Sequence, residues 1–204
     1  MKYDKKKAVS IITSAASIYD DNLNNRDVLF IAKRQKALSW YEMRFISANF
    51  KHFTGVDSSL SANKFFSNAL DKRLSLNDII FKDDYLAGKK MNILEDAVRL
   101  PYTAKMIGEF NYAGIKIQAE VGSGSVGYTM AFRKDGNGLY YPVSVIEEDI
   151  RKSVMPASPI AIILRKDIVE DKYNEITYRS KNINIEHLHF PNELLEIISD
   201  DVVL

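Results

Sequence analysis

A turn signal in the second half of the chain constrains the fold most strongly. Residues 134–138, of sequence Lys-Asp-Gly-Asn-Gly, separate two apolar runs at 126–133 and 139–146. Asp-Gly and Asn-Gly readily adopt the positive φ that a tight hairpin connection requires. The pattern therefore predicts an antiparallel hairpin, with Pro142 at a sheet edge or a strand end because proline lacks a backbone donor.

Other apolar patterns predict further strands. Residues 28–32 and 160–164 are continuous apolar runs, which are typical of buried strands. Residues 39–46 and 115–119 alternate apolar with polar side chains, and residues 175–179 form a weaker candidate. The short gap between 34 and 38 suits a second hairpin.

Apolar residues at three- and four-residue spacing predict helices at 5–21, 62–70, 92–100 and 191–199. Ser59 or Ser61 is the expected N-cap of the second helix, and Pro101 is expected to end or kink the third. The fold class is therefore α+β. An N-terminal helix and a helical insert at about 58–110 pack on a mainly antiparallel β-sheet.

Charge divides the 204-residue chain into two parts. Residues 1–181 hold all 28 basic residues and 22 of the 27 acidic ones, a net charge of +6 that suits a nucleic-acid backbone. Residues 182–204 hold five acidic residues and no basic one. We expect a single domain at 1–181 and an acidic tail that is solvated, or alternatively folds over the basic surface or engages a basic partner.

Several classes of protein are excluded or disfavoured. The chain has no cysteine, which excludes disulfides, thiol catalysis, iron–sulfur clusters and cysteine zinc sites. No apolar run reaches membrane-spanning length, so we expect a cytoplasmic protein without a membrane partner.

Two motifs suggest ligand sites but also have simpler explanations. Residues 122–127 read G-x-G-x-x-G, yet a strand follows where a dinucleotide fold needs a helix, which favours a bulged strand connection over nucleotide binding. A glycine loop beside a nucleic-acid backbone stays open. His187 and His189 could begin a metal site, but a solvated segment is favoured. We therefore expect no metal and no cofactor.

Four segments carry candidate functional residues. His52 follows a predicted strand in the sequence Phe-Lys-His-Phe-Thr-Gly-Val, where a loop would expose it as a general base or acid; the alternative is a packed histidine. Lys105 precedes a glycine turn and could face a phosphate, or could simply be solvated. Arg151 follows an acidic cluster. Arg165 ends a buried strand, where an arginine can clamp a phosphate.

The order of these segments carries a resemblance. F-K-H-F-T-G-V at residue 50 is followed by a Phe-Phe helix, K-M-I-G-E-F, Y-Y-P-V-S-V, E-D-I-R and I-A-I-I-L-R-K. This order, over residues 28–173, resembles a phage- and mobile-element-associated branch of the barnase–EndoU–colicin–RelE nuclease superfamily. The resemblance implies an N-terminal helical element on a four-stranded antiparallel sheet. It also implies metal-free RNA cleavage, in which a 2′-hydroxyl attacks its own phosphate and leaves a cyclic phosphate.

The resemblance also implies roles for individual residues. His52 matches the motif histidine and would act as base or acid, while Thr54 would bond a phosphate oxygen. Tyr128 and Tyr173 could stack bases or donate a proton. The expected catalytic residues are His52, Lys105 and Arg151; the expected RNA-binding residues are Lys51, Thr54, Tyr128, Arg133, Arg165 and Tyr173.

The leading functional hypothesis is an RNA endonuclease of a phage or other mobile element. Its target would be tRNA, mRNA or a CRISPR guide RNA, and it would act as a toxin or an anti-CRISPR factor. Two alternatives stay open. One is an inactive nuclease fold that blocks a CRISPR effector or another host defence protein by direct binding. The other is a metal-dependent nuclease that uses the carboxylates.

Overall fold

The N-terminal helix α1 spans Lys5–Asn22, which confirms the helix predicted there. This computed structural model describes residues 4–35, 37–114 and 117–204. Asp4 caps α1 by accepting a hydrogen bond from the backbone N–H of Lys6. One stripe of the helix is buried in the core: Ala8, Ile12, Ala15, Ala16 and Tyr19.

Eight strands form one mainly antiparallel sheet within the described residues. They are β1 (Arg26–Arg34), β2 (Ala37–Phe45), β3 (Met106–Glu109), β4 (Val121–Gly124), β5 (Thr129–Lys134), β6 (Tyr140–Ile146), β7 (Ser158–Asp167) and β8 (Glu175–Arg179). Their order is β1-β2-β6-β5-β4-β3-β7-β8. Among these eight strands, β2 and β6 are the one pair that runs in parallel, at Met43 opposite Tyr140.

The sheet closes into a barrel, whereas the residue patterns predict only a mainly antiparallel sheet. Closure occurs because β1 pairs with β7 as well as with β2. The other edge of β7 pairs first with β3, at Ser158 and Pro159, and then with β8, from Ile162 to Arg165. Periodicity along the chain predicts strands but carries no information on which strand edges meet. Closure of the barrel therefore cannot be predicted from it.

The predicted hairpin is confirmed between β5 and β6. Asp135 Oδ1 accepts hydrogen bonds from the backbone N–H groups of Asn137 and Leu139, and Gly138 has a φ of +94°. Pro142, by contrast, lies inside β6 opposite Phe132. The register of the ladder shifts there, and this irregularity accommodates a residue without a backbone donor.

The middle of the chain is helical, as predicted. The helices are α2 (Phe50–Thr54), α3 (Ala62–Leu70), α4 (Asp84–Ala97) and α5 (Leu100–Thr103), followed later by α6 (Ile150–Ser153) and α7 (Asn192–Glu196). Ser61 caps α3. Helix α4 begins eight residues before the predicted start at 92, because Asp83 accepts from the N–H groups of Tyr85 and Leu86. None of these helices is long and apolar enough to cross a membrane, in the part of the chain that the structure describes.

One predicted strand is not observed. Residues 115–119 were predicted as a strand, but Ile115 and Lys116 lie outside the described residues, and 117–119 have no regular structure.

Opposite faces of β1 enter two hydrophobic clusters. Val28 and Phe30 pack with the helices, whereas Leu29 and Ile31 pack with the C-terminal segment. Segment 182–204, expected to be solvated, is anchored on this second face by a buried leucine and isoleucine, Leu194 and Ile198. Glu193 and Glu196 flank the Leu194 anchor along the chain, and Asp200 and Asp201 follow Ile198.

Candidate functional site

His52 lies in the short helix α2, not in a loop as predicted. Gly55 ends this helix with a left-handed φ of +70°, a conformation that glycine adopts without strain. Phe50 and Phe53 are buried beneath it against Tyr19, with ring centroids 5.3 and 5.9 Å away. His52 itself is exposed. The aromatic anchors therefore hold an exposed histidine on a rigid base.

Lys90 of α4 lies directly beside this helix. Its Nζ donates to the carbonyl of His52 at 2.9 Å and to Ser144 Oγ of β6 at 3.1 Å. Burial lowers the pKa of Lys90 to about 8. A Cβ on residue 55 would lie 2.8 Å from Lys90 Cδ, so Gly55 also leaves the space that the lysine stem occupies.

Partial burial and two lysines lower the pKa of His52. Partial burial, then Lys90 and Lys51, lower the pKa of His52 below its usual 6.5. Its imidazole is therefore mainly neutral at neutral pH. Lys51 is held in place, because its Nζ donates to the carbonyls of Ser58 and Leu60 at 3.2 and 3.3 Å.

A groove of about 370 Å³ borders the same lysine. It lies between α4, β6 and the residues after Phe110. Its polar and aromatic lining comprises Tyr85, Lys89, Lys90, Tyr112, Ser144 and Glu147. Lys89 Nζ lies 4.8 Å from the centroid of the Tyr85 ring. Because Lys90 belongs to the lining and also bonds the backbone carbonyl of His52, the groove adjoins helix α2.

Three predicted cations are exposed on the surface outside the groove lining. Lys105 precedes β3, with Nζ 3.9 Å from the centroid of the Tyr178 ring. Arg133 donates to a glutamine side chain at 3.4 Å. Arg151 forms a bidentate pair with Asp149 and lowers the pKa of that carboxyl to about 2. The structure does not bring Lys105 or Arg151 together with His52 through any described hydrogen bond.

Two predicted RNA-binding residues have their hydroxyls inside the protein. Thr54 is buried and donates to the carbonyl of Lys51 at 2.8 Å. Tyr128 is buried, and its hydroxyl lies 2.7 Å from Thr103 Oγ1. Neither presents a surface to a base or a phosphate.

Tyr173 and Arg165, two further predicted RNA-binding residues, are hydrogen-bonded to other parts of the protein. Tyr173 is buried and donates to Glu42 Oε2 at 3.1 Å. Arg165 binds Glu175 Oε2 at 2.6 Å and donates to the carbonyl of Asp21 at the end of α1. Tyrosine in an apolar strand is as compatible with a core position as with base stacking, so the pattern alone could not separate the two.

The glycine-rich motif comprises the end of strand β4 and the turn that leads to β5. Gly122 and Gly124 belong to β4, and a Cβ on Gly124 would lie 2.2 Å from the carbonyl oxygen of Tyr128. These glycines therefore allow close packing of backbone. His187 and His189 line a small pocket beside the β1–β2 turn, and no group of three or more metal-ligating side chains occurs among residues 4–35, 37–114 and 117–204.

Comparison with known families decides the class of protein. A family model described as phage-Barnase-EndoU-ColicinE5/D-RelE-like nuclease 4 matches residues 11–182. The chain belongs to this nuclease family. The predicted resemblance is thereby confirmed, and a nucleic acid is the implied substrate of this nuclease. Searches of curated proteins and of solved structures give no match.

Sequence reasoning missed Lys90, whose Nζ bonds the backbone carbonyl of His52 in this nuclease. Lys90 follows the buried Ala87 by three residues and precedes the buried Leu94 by four, so it shares their face of the helix. A lysine on the buried face of an amphipathic helix is unusual, and this was the available signal. The predicted helix begins at residue 92, so Lys90 lies outside it and its position on a helix face could not be recognised.

Proposed function

We propose that this nuclease is a metal-independent endoribonuclease that leaves a 2′,3′-cyclic phosphate. The observation that carries the proposal is the pairing of a neutral, exposed His52 with a largely buried Lys90 whose Nζ bonds the same residue's carbonyl at 2.9 Å. A neutral imidazole can accept a proton and an ammonium can donate one. These are the two proton transfers that cleavage by a 2′-hydroxyl requires.

The proposed reaction transfers two protons and exchanges one bond at phosphorus. The 2′-hydroxyl loses its proton to His52, and its oxygen forms a bond to phosphorus. The bond from phosphorus to the 5′-oxygen breaks, and Lys90 gives a proton to that oxygen. Exchange with water then returns both side chains to their starting states.

Lys90 has a hydrogen available for this role. An ammonium carries three N–H donors, and two of them are used by His52 and Ser144. The third can bond the departing 5′-oxygen, and it is the proton that this oxygen receives as its bond to phosphorus breaks. Lys51, Lys105, Arg133 and Arg151 are proposed as contacts to flanking phosphates. Thr54, Tyr128 and Tyr173 are buried, and the Arg165 side chain is only 15% exposed and paired with Glu175, so these four residues are not proposed as contacts.

The phage association of the family supports a role against host defence. The proposed targets are tRNA, mRNA or a CRISPR guide RNA.

The test is cleavage of labelled tRNA and guide RNA by the purified protein in the presence of EDTA. We expect cleavage with cyclic-phosphate ends, and a loss of roughly 10²- to 10⁴-fold in kcat/KM for His52→Ala. His187→Ala, an exposed histidine in a short 3-10 turn, is the matched control and should retain full activity.

Three results would contradict the proposal. Cleavage that EDTA abolishes would indicate a metal-dependent nuclease. Full cleavage by His52→Ala would remove His52 from the chemistry. Intact RNA under all these conditions, combined with anti-defence activity in cells for His52→Ala, would indicate an inhibitor that acts by binding.

A further inference from the structure

We infer that the groove beside Lys90 binds one unpaired nucleobase, so that this nuclease selects single-stranded RNA. The inference rests on the proposed function for the presence of RNA, but it concerns a different part of the site. Three features of the groove support it: its shape, its aromatic rim and the carboxylate of Glu147 among the described lining residues.

The shape and lining of the groove fit a small planar ligand. Its volume of about 370 Å³ is that of a small-molecule pocket. Leu86, Ile117 and Ile146 contribute apolar walls. Apolar walls offer nothing to a phosphate, whereas they exclude water from the faces of a base.

The rim carries two tyrosines. The Tyr85 side chain is 67% exposed, so its ring is not needed for the core. Tyr112 folds over Gly114, where a Cβ would lie 2.5 Å from the Tyr112 hydroxyl oxygen. Exposed aromatic rings beside lysines are the usual platform for unpaired bases. A base inside a duplex is stacked on both faces and cannot reach such a rim.

The carboxylate of Glu147 favours a base over a phosphate as the ligand of the groove. Its carboxylate lines the groove and accepts a hydrogen bond from Asn92 Nδ2 at 3.3 Å, which holds it in place. A carboxylate repels a phosphate, but it accepts hydrogen bonds from the exocyclic amino group of a base such as cytosine. Uracil has carbonyl oxygens in place of an amino group and would be disfavoured.

The position of the groove connects the base to the reaction. Lys90 lines the groove and contacts His52, so a base held there places its own phosphate near the two proposed proton-transfer groups. Base selection and cleavage would then occur on adjacent parts of one nucleotide.

The test measures binding of 2′-O-methyl oligonucleotides, which lack the attacking hydroxyl, so it is independent of catalysis. Wild-type protein should bind oligo(C) about tenfold more tightly than oligo(U) or a duplex of the same length. Tyr85→Leu should weaken oligo(C) binding about tenfold, as expected for the loss of one stacking contact. Tyr102→Leu, another exposed tyrosine but on α5, is the matched control and should bind like the wild type.

Glu147→Gln should reduce the preference for cytosine over uracil, with the fold checked by circular dichroism. Equal binding by Tyr85→Leu and wild type, or equal binding of duplex and single strand, would overturn the inference. His52-dependent cleavage would still stand in that case. If the groove variants change binding but no RNA is cleaved, the proposed function fails and the groove inference survives.

Discussion

Lys90 is the residue on which the proposed chemistry depends, because its protein surroundings make it an unusual acid. Its stem is packed against Gly55 and its Nζ is bound by one backbone carbonyl and one serine oxygen. Burial disfavours the charged form of an amine and lowers its pKa to about 8. An acid with a pKa near neutrality transfers protons more readily than an ordinary lysine.

The first prediction is a bell-shaped pH profile of kcat/KM. Activity should fall as the pH drops through the lowered pKa of His52, below 6.5, because the base becomes protonated. It should also fall as the pH rises through about 8, because Lys90 loses its proton. Lys90→Arg should lose the alkaline limb while keeping the acid limb, since arginine stays protonated. A profile whose alkaline limb is unchanged in Lys90→Arg would contradict the assignment.

The second prediction concerns stability. Lowering the pKa of Lys90 from 10.5 to about 8 corresponds to about 3 kcal/mol of unfavourable burial at neutral pH. Lys90→Met removes this term and loses two hydrogen bonds of about 1 kcal/mol each, so the free energy of unfolding should rise by about 1 kcal/mol. Activity should be lost in the same variant.

Urea denaturation at two pH values checks this prediction. The folded wild type binds fewer protons than its unfolded chain between pH 8 and 10.5, so wild-type stability should rise over that range and the advantage of Lys90→Met should shrink. An advantage that does not change with pH would indicate a packing effect instead.

At the level of elements, Gly55 links the geometry of α2 to the position of Lys90. Gly55→Ala introduces a side chain at a φ of +70° and places a Cβ 2.8 Å from Lys90 Cδ. We expect a loss of about 1 kcal/mol in stability and, in addition, a loss of activity as Lys90 shifts. Gly138→Ala is the control, because its φ is +94° but the nearest atom to the Cβ is 3.8 Å away. It should lose stability alone, and equal losses of activity in both variants would contradict the prediction.

At the level of the whole molecule, the C-terminal segment belongs to the folded structure although the family match ends at residue 182. Leu194 is fully buried against β1 and β7, whereas its neighbour Leu195 is 42% exposed. Leu194→Ala should lower the free energy of unfolding by about 2–5 kcal/mol, and Leu195→Ala by less than about 0.5 kcal/mol. Chemical denaturation measures both. Similar small losses would mean that the segment is dispensable to the fold.

Much of the local structure follows from residue patterns. Helix α1 and the β5–β6 hairpin were predicted because each depends on spacing or turn chemistry within a few residues. The start of α4 was missed because Asp83 was not recognised as its cap. The residue types around His52 distinguish this segment in the sequence, but its helical form depends on the Gly55 cap and on buried aromatic contacts to α1.

The sequence by itself determined the α+β class, the antiparallel strands and the nuclease family of this protein, because these properties follow from the local spacing of residues and from the order of short segments. Only the tertiary structure decided the closure of the barrel, the burial of Tyr128 and Tyr173, and the contacts of Lys90 with residues 38 and 54 positions away. The physical reason is that desolvation and hydrogen bonding between distant segments arise only when the chain is packed, and these two effects give the site its proposed acid and base.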